Sequence, residues 1–351
     1  MPAYRFAWLH PNRIETEAVA RPMDEATVVV TWRAFQPRTQ ALAAALGATV
    51  CNISHALHHR KAWLPLRYLV DAVRTWRALS AARPRAVIVT TPPVFTPLTG
   101  WLWCALHRRP LVVDCHTGTF HDKRWRWARP IHRAVLRRAR AALVHSEEDE
   151  VLVNAWGAPA LLLPDDLPRI SASSHPEASP RGGREISAAR IVVAGRLDDD
   201  EPVAAVLRAA SLLPGVEVRL TGNPDRLPAA VRAGAPSNAV FVGLLPWSEF
   251  LSELASADLV GVFTTDPHVM SRAAFEAVGL GRPLVLSDSA GLRHRFGPAA
   301  LFCENTGEAV ARALRQALRE RTSLTQRSTA LREILHAQHQ RALAQLRLML
   351  D

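Results

Sequence analysis

In an open parallel sheet, ligands bind beyond the carboxyl ends of the strands, so chemistry is sought in the residues that directly follow each strand run. Four such places lie in the second half of the chain. The run Arg190 to Ala194 ends in Gly195-Arg196-Leu197, where glycine permits close backbone approach and Arg196 offers a fork of donors suited to phosphate. A plain glycine turn with a solvated arginine fits the same residues. The run Val216 to Thr221 ends in the turn Gly222-Asn223-Pro224, and Phe241 to Pro246 leads, through Leu245, into a helix that begins at Trp247. Such a loop either presents backbone groups to a base edge or is an ordinary connection. The fourth place is the richest. Leu259 to Phe263 runs into Thr264-Thr265-Asp266-Pro267-His268, and Ser271 then caps a short helix, Arg272 to Leu280. The free N–H groups at such a helix start attract phosphate. Within the helix, Glu276 is the one acid among small and apolar residues. A carboxylate in that setting either reaches solvent or holds a polar ligand, because burying it unpaired costs several kcal/mol.

The elements that must position these groups follow from periodicity. A chain of 351 residues exceeds what one core usually holds, which argues for two domains. The first half alternates β-branched runs with amphipathic stretches, as a helix-covered parallel sheet requires. Strands are expected at Thr27 to Thr31, Thr49 to Ile53, Ala86 to Thr91, Pro110 to Cys115, Ala141 to His145 and Ala160 to Leu163. Helices are expected at Leu64 to Leu79, Pro97 to Leu106, Ala128 to Arg140 and Glu147 to Trp156. Residues 169–189 lack periodicity, are rich in turn formers and read as a linker. The alternation then restarts with strands at Arg190 to Ala194, Val216 to Thr221, Ala239 to Val242, Leu259 to Phe263 and Pro283 to Ser287. Glu308 to Leu348 is helical by composition, an end-piece packed on the exterior. The fold class is therefore α/β, two Rossmann-like domains (1–168 and 190–320), a closing helix (321–351) and a cleft between the domains.

Composition narrows the setting. An apolar fraction of 48% with 21% charged residues is that of a soluble globular protein, and no apolar run reaches the length of a membrane span. The first ten residues lack the apolar core of a signal peptide, so a cytoplasmic location is expected. Cys51, Cys104, Cys115 and Cys303 form no CxxC pair and read as reduced thiols rather than a zinc site. Nearly all of the net charge of +11 lies in residues 1–165, which hold 22 Lys+Arg against 12 Asp+Glu. A basic half implies an anionic partner: a phosphate-bearing molecule, a nucleic acid or an anionic membrane face. No nucleic-acid-binding module is recognisable, so a nucleic-acid partner is not expected.

The segment His268 to Val285 resembles the donor-site signature of GT-B glycosyltransferases similar to glycosyltransferase family 4, in which two glutamates stand eight positions apart ahead of a G-x-P-V-type strand start. The likeness runs from Arg190 to about Leu318 and takes in Gly195-Arg196-Leu197. It implies a glycosyltransferase that uses a nucleoside diphosphate sugar as substrate, with no cofactor; no DxD-type metal signature sits at a strand end, so no metal is expected. Donor contacts would come from Gly195, Arg196, Asn223, Leu245, His268, Ser271, Arg272 and Glu276, with Glu276 on the ribose hydroxyls. Two positions depart from the family pattern. His268 stands where the first glutamate belongs, and Glu201 stands where a lysine usually follows the Gly-Arg pair. A non-catalytic GT-B-like protein with a decayed donor site is the alternative these departures favour.

In the first half, Asp114-Cys115-His116-Thr117-Gly118-Thr119 resembles the histidine-bearing loop that faces the donor sugar in this family. His116 would orient the sugar, and Asp114 would act as base in an inverting reaction. The glycine-rich loop usual after the first strand is absent; Thr31 to Gln36 replaces it, with Arg33 in reach of phosphate. Val94 to Leu106 is strongly apolar, and Lys123-Arg124-Trp125-Arg126-Trp127 interleaves basic and aromatic residues. This pattern reads either as core helices with a solvated basic face or as a surface resting on anionic lipid, at the inner face of the cell membrane, where it receives a lipid-linked or polysaccharide-precursor acceptor.

Overall fold

The computed structural model describes residues 27–54, 64–168 and 189–351. It holds two six-stranded, wholly parallel sheets, each covered by helices. The first sheet has the order β2-β1-β3-β4-β5-β6, built from β1 (Thr27–Thr31), β2 (Thr49–Asn52), β3 (Ala86–Thr91), β4 (Leu111–Cys115), β5 (Ala141–Val144) and β6 (Ala160–Leu162). Its helices are α1 (Pro37–Leu46), α2 (Leu64–Ala82), α3 (Phe95–His107), α4 (Arg129–Leu136) and α5 (Glu147–Ala155). Val28, Val29 and Val30 of β1 are all buried, which explains an uninterrupted β-branched run: helices on both faces leave no solvated side on which polar residues would alternate.

The second sheet has the order β12-β11-β10-β7-β8-β9. Its strands are β7 (Arg190–Val193), β8 (Glu217–Thr221), β9 (Ala239–Gly243), β10 (Leu259–Val262), β11 (Leu284–Ser287) and β12 (Ala300–Cys303). Between them run α6 (Val203–Ser211), α7 (Ala229–Ala233), α8 (Trp247–Ser256), α9 (Arg272–Gly279) and α10 (Ala290–Phe296), and the chain ends in α11 (Gly307–Arg319) and α12 (Arg321–Leu350). All eleven expected strands are present, each within a residue or so at its ends. The sequence reading lacked β12 and α1. The expected helix Ala128 to Arg140 starts as a 3-10 turn, Lys123–Ala128, and Glu308 to Leu348 divides at Glu320 into two helices. The expected linker, 169–189, lies almost wholly outside the described residues.

The closing helix is more than an exterior end-piece. Leu324, Leu331 and Leu335 of α12 are buried in the second lobe, while Ala342, Leu343, Leu346 and Leu350 are buried with Val29, Leu42, Ile88 and Leu161 in the first. With the buried Ser328 and His339 between them, these residues recur every three or four positions, apart from the adjacent pair Ala342 and Leu343, and so lie on one stripe of the helix. His339, between the two sets, is bonded through Nδ1 to the Pro164 carbonyl at 3.0 Å. One 30-residue helix thus finishes both cores and spans the junction.

Candidate active site at the junction of the two lobes

The first-lobe side is built at the carboxyl end of β4. Asp114 is wholly buried and accepts from Arg38 of α1, from Nε at 3.1 and 3.2 Å and from Nη2 at 3.0 Å. The same guanidinium donates from Nη1 to Asp165 at 2.9 Å and from Nη2 to the Leu163 carbonyl at 2.9 Å. Burial alone would raise the Asp114 and Asp165 carboxyls, but the Arg38 charge outweighs it and holds both below the usual carboxylate range. This corrects the expectation that Asp114 acts as a base: a carboxylate with no exposed surface, gripped by a guanidinium, cannot receive a proton from an incoming hydroxyl. Asp114 instead sets the electrostatics of two histidines, each with Nε2 3.8 Å away, His116 and His145.

His116 leaves β4 at the site itself, its ring 4.9 Å from that of His145. The Gln36 amide oxygen accepts from the hydroxyls of Thr39 at 3.0 Å and Thr31 at 3.3 Å, so its amide nitrogen is the group that faces His116 Nε2. The amide nitrogen donates, so His116 Nε2 must accept, and the ring carries its proton on Nδ1. Burial lowers His116 from its ordinary value and takes His145 down to about 3, so both are neutral at physiological pH. A neutral imidazole with a fixed tautomer is a positioned N–H donor.

On the second-lobe side, the strand ends are stitched into one surface. The Gly195 N–H donates to the Thr221 hydroxyl at 2.9 Å, and the Gly222 N–H donates to the Gly243 carbonyl at 3.0 Å. Gly222 has φ +113, and a Cβ there would lie 2.5 Å from the Arg196 backbone, so only glycine lets the β8 turn pass beneath the β7 loop. Asn223 caps its own turn, accepting from the Asp225 N–H at 3.0 Å, and Leu245 is half-buried ahead of α8. Arg196 is exposed, with Nε 3.5 Å from Asp198. Glu201 accepts from the N–H groups of Arg196 at 2.8 Å and Leu197 at 2.9 Å, so a carboxylate satisfies the loop where the resemblance places a lysine.

Glu276 is 2% exposed on α9 and is raised to about 8 by burial, against the opposing charge of Arg272. Arg272 Nε donates to it at 2.7 Å, while Nη1 lies 3.9 Å from Asp165 and the guanidinium sits 5.1 Å over the Trp247 ring. A chain of ion pairs therefore runs from Asp114 through Arg38, Asp165 and the half-buried Arg272 to Glu276, joining the lobes. Ser271 is the N-cap of α9 in extended geometry but makes no side-chain cap bond, which leaves the first-turn N–H groups without that partner. Arg33, after β1, is exposed at the surface, and partial desolvation with the charges of Arg196 and Arg124 lowers its guanidinium from the ordinary arginine value. Cations from both lobes thus converge on the cleft. A cavity of about 340 Å³ between the lobes is lined by Phe35, Gln40 and Asp166 on one side and Trp247, Leu251 and Arg272 on the other.

His268 is placed differently from the other donor-side candidates. Its ring stacks on His121 at 3.9 Å and its Nδ1 lies 3.1 Å from Glu148, both of the first lobe. Sequence reasoning also missed Gln36, Arg38, His145 and Asp165. Arg38 and Asp165 lie 127 residues apart and resemble, one by one, a solvated arginine and a residue of the linker approach.

Residues 7–163 match the family described as the glycosyl transferase 4-like domain. None of the curated proteins compared matches the sequence. Among solved structures, Anabaena HepE in complex with UDP and glucose is 14% identical, with a TM-score of 0.66 over 91% of this chain and 98% of that one. Sucrose-phosphate synthase from Thermosynechococcus elongatus is 14% identical, with a TM-score of 0.68 over 92% and 97%. A glycosyltransferase from Rickettsia africae is 11% identical, with a TM-score of 0.67 over 93% and 98%. The two doubly covered parallel sheets are those of the GT-B fold. The first lobe matches the glycosyl transferase 4-like domain, and the two lobes together have the GT-B fold.

Proposed function

We propose that the protein transfers a sugar from a nucleoside diphosphate sugar, bound between the lobes, to a lipid-linked or polysaccharide-precursor acceptor presented by the first lobe. The observation that carries the donor half of this reading is that Arg33 and Arg196, both exposed and from opposite lobes, are near enough for the charge of Arg196 to lower the Arg33 guanidinium. Like charges brought together at a cleft are stabilised by an anion between them, and a diphosphate supplies one. Arg196, Arg33 and the N–H groups that open α9 neutralise the diphosphate, and Glu276, steered by Arg272, accepts from the ribose hydroxyls. Asn223 and Leu245 border the nucleoside. In the transfer step the bond from the anomeric carbon to the diphosphate oxygen breaks, the acceptor oxygen bonds to that carbon, and the diphosphate leaves with the electron pair. His116 donates to the sugar from its protonated nitrogen. The HepE structures with UDP, with UDP-glucose and with UDP and glucose agree with such a donor.

The acceptor half rests on the outer surface of the first lobe. Leu66, Leu69, Val73, Leu102, Leu106 and Trp127 are exposed there, beside Arg124 and Arg126. Tyr68, Phe95, Trp125 and Trp127 form one aromatic cluster that links α2, α3 and the 3-10 turn. Apolar side chains rimmed by arginine suit the interface of an anionic bilayer, and no helix among the described residues is long and apolar enough to cross one. We infer peripheral attachment to the cytoplasmic face. Sedimentation with liposomes tests it: co-pelleting with anionic vesicles and not with neutral ones is expected, and equal recovery in both supernatants refutes it.

A non-catalytic role draws on Glu201, whose carboxylate occupies loop N–H groups that a phosphate would otherwise meet. Calorimetric titration with nucleoside diphosphates separates the two readings. Transfer requires affinity that falls at least tenfold in the Arg33→Ala, Arg196→Ala double variant, as expected for lost charge-assisted hydrogen bonds. No measurable affinity in the unaltered protein leaves the non-catalytic reading.

A further inference from the structure

The loop after β4, the first turn of α5 and the loop before α9 bring His121, Glu148 and His268 together at the lobe junction, with one candidate ligand atom of each within 4.8 Å of the others. Two imidazoles and a carboxylate are the donor set that zinc takes in open sites, with water in the remaining position. We propose that His121, Glu148 and His268 bind one divalent transition-metal ion of the zinc class and that the ion clamps the two lobes together.

Three observations support the site. The His268 Nδ1 to Glu148 Oε2 distance is 3.1 Å, close to the span of about 3.3 Å between two ligands each about 2.0 Å from a tetrahedral zinc. His121 donates from Nε2 to Asp149 at 2.8 Å, because a carboxylate can only accept there; its Nδ1 is then the nitrogen with a free lone pair. A carboxylate behind a histidine is the arrangement that fixes the tautomer and raises the basicity of a metal ligand. Asp149 is 1% exposed, and its Oδ2 has no hydrogen-bond partner, so its negative charge is buried behind the imidazole that would carry part of a cation's charge. The His121 and His268 rings stack 3.9 Å apart at 11° and belong to opposite lobes, so an ion held by both would link the lobes, with one ring turned out of the stack to aim its in-plane lone pair at the ion. Among the described residues the other cluster of this kind, Asp114 with His116 and His145, is a poor cation site because Arg38 already holds its carboxylate.

This clamp is separate from the diphosphate site and does not depend on the donor reading. The expectation of a metal-free reaction concerns phosphate neutralisation, whereas this ion would bridge side chains of the protein. Glu148 and His268 are both partly exposed, so their replacement should be tolerated by the fold.

The test uses the full chain, stripped with chelator and titrated with Zn²⁺ alone by calorimetry, with the visible absorption of bound Co²⁺ as a readout of tetrahedral coordination. One saturable site is expected. His268→Ala and Glu148→Gln should each weaken it by roughly 100-fold or more, and Asp149→Asn by about 10- to 100-fold, the range for groups behind a metal ligand. His55, His58 and His59 lie outside the described residues and are rich enough in imidazole to bind metal on their own. A His55→Ala, His58→Ala, His59→Ala variant should therefore retain the site. Zinc affinity unchanged in both His268→Ala and Glu148→Gln, loss confined to the triple variant, or no saturable binding at all would each overturn the proposal.

Discussion

If Glu276 accepts from the ribose, nucleotide affinity should depend on its ionisation. Burial raises the carboxyl to about 8, so about 1% is ionised at pH 6 and about half at pH 8, on the ordinary titration curve. A ligand that requires the ionised form pays for the missing fraction, and its affinity should rise by up to roughly 50-fold between those values. That ratio corresponds to about 2.3 kcal/mol. The nucleotide's own phosphate also titrates in this range, so the Glu276→Gln variant, whose amide does not ionise, is the reference. The quantity to follow is the ratio of its dissociation constant to that of the unaltered protein, by calorimetry at pH 6, 7 and 8. It should climb with pH, with more proton released on binding to the unaltered protein than to the variant. A ratio constant across the range would remove the carboxylate from the ribose site. Stability should move the opposite way. A folded-state value raised above 4.5 gives a contribution that is full below about 4.5 and lost as pH rises through about 8. The variant should gain stability relative to the unaltered protein on the alkaline side, by at most about 5 kcal/mol.

Arg38→Ala leaves Asp114 and Asp165 buried without their cation, and urea unfolding should show a loss of about 3–5 kcal/mol. A loss under 1 kcal/mol would mean that water replaces the guanidinium. Leu346→Ala in α12 should cost about 2–5 kcal/mol, read in the unfolding of the first lobe, because Leu346 is packed with Val29 and Ile88 rather than on the second lobe beside its own helix start.

The fold was legible where one rule governed a segment. The valine run of β1 and the start of α9 after Ser271 needed only burial on two faces and a cap. α1 was missed because Pro37 and an alanine-rich stretch give little amphipathic contrast, and β12 because four residues, Ala300–Cys303, are too short to show a period. Gly195, Arg196, Ser271 and Glu276 could be singled out because each stands in a local pattern, a strand end or a helix start. What was not legible is the pairing. Asp114 looked like a base from its place at a strand end, but its chemistry is set by Arg38, 76 residues earlier, and His268 is held by Glu148, 120 residues away. Such partners are fixed by sheet order and by the docking of two lobes, neither of which leaves a trace in the neighbouring residues.

The most direct measurement is a thermal-shift panel with UDP, GDP, ADP and dTDP, since a ligand that binds only the folded form raises the melting temperature. One nucleoside diphosphate should raise it by several degrees at about 100 times its dissociation constant, and the shift should vanish in the Arg33→Ala, Arg196→Ala variant. An unchanged melting temperature with all four would contradict a nucleotide-sugar site in this cleft.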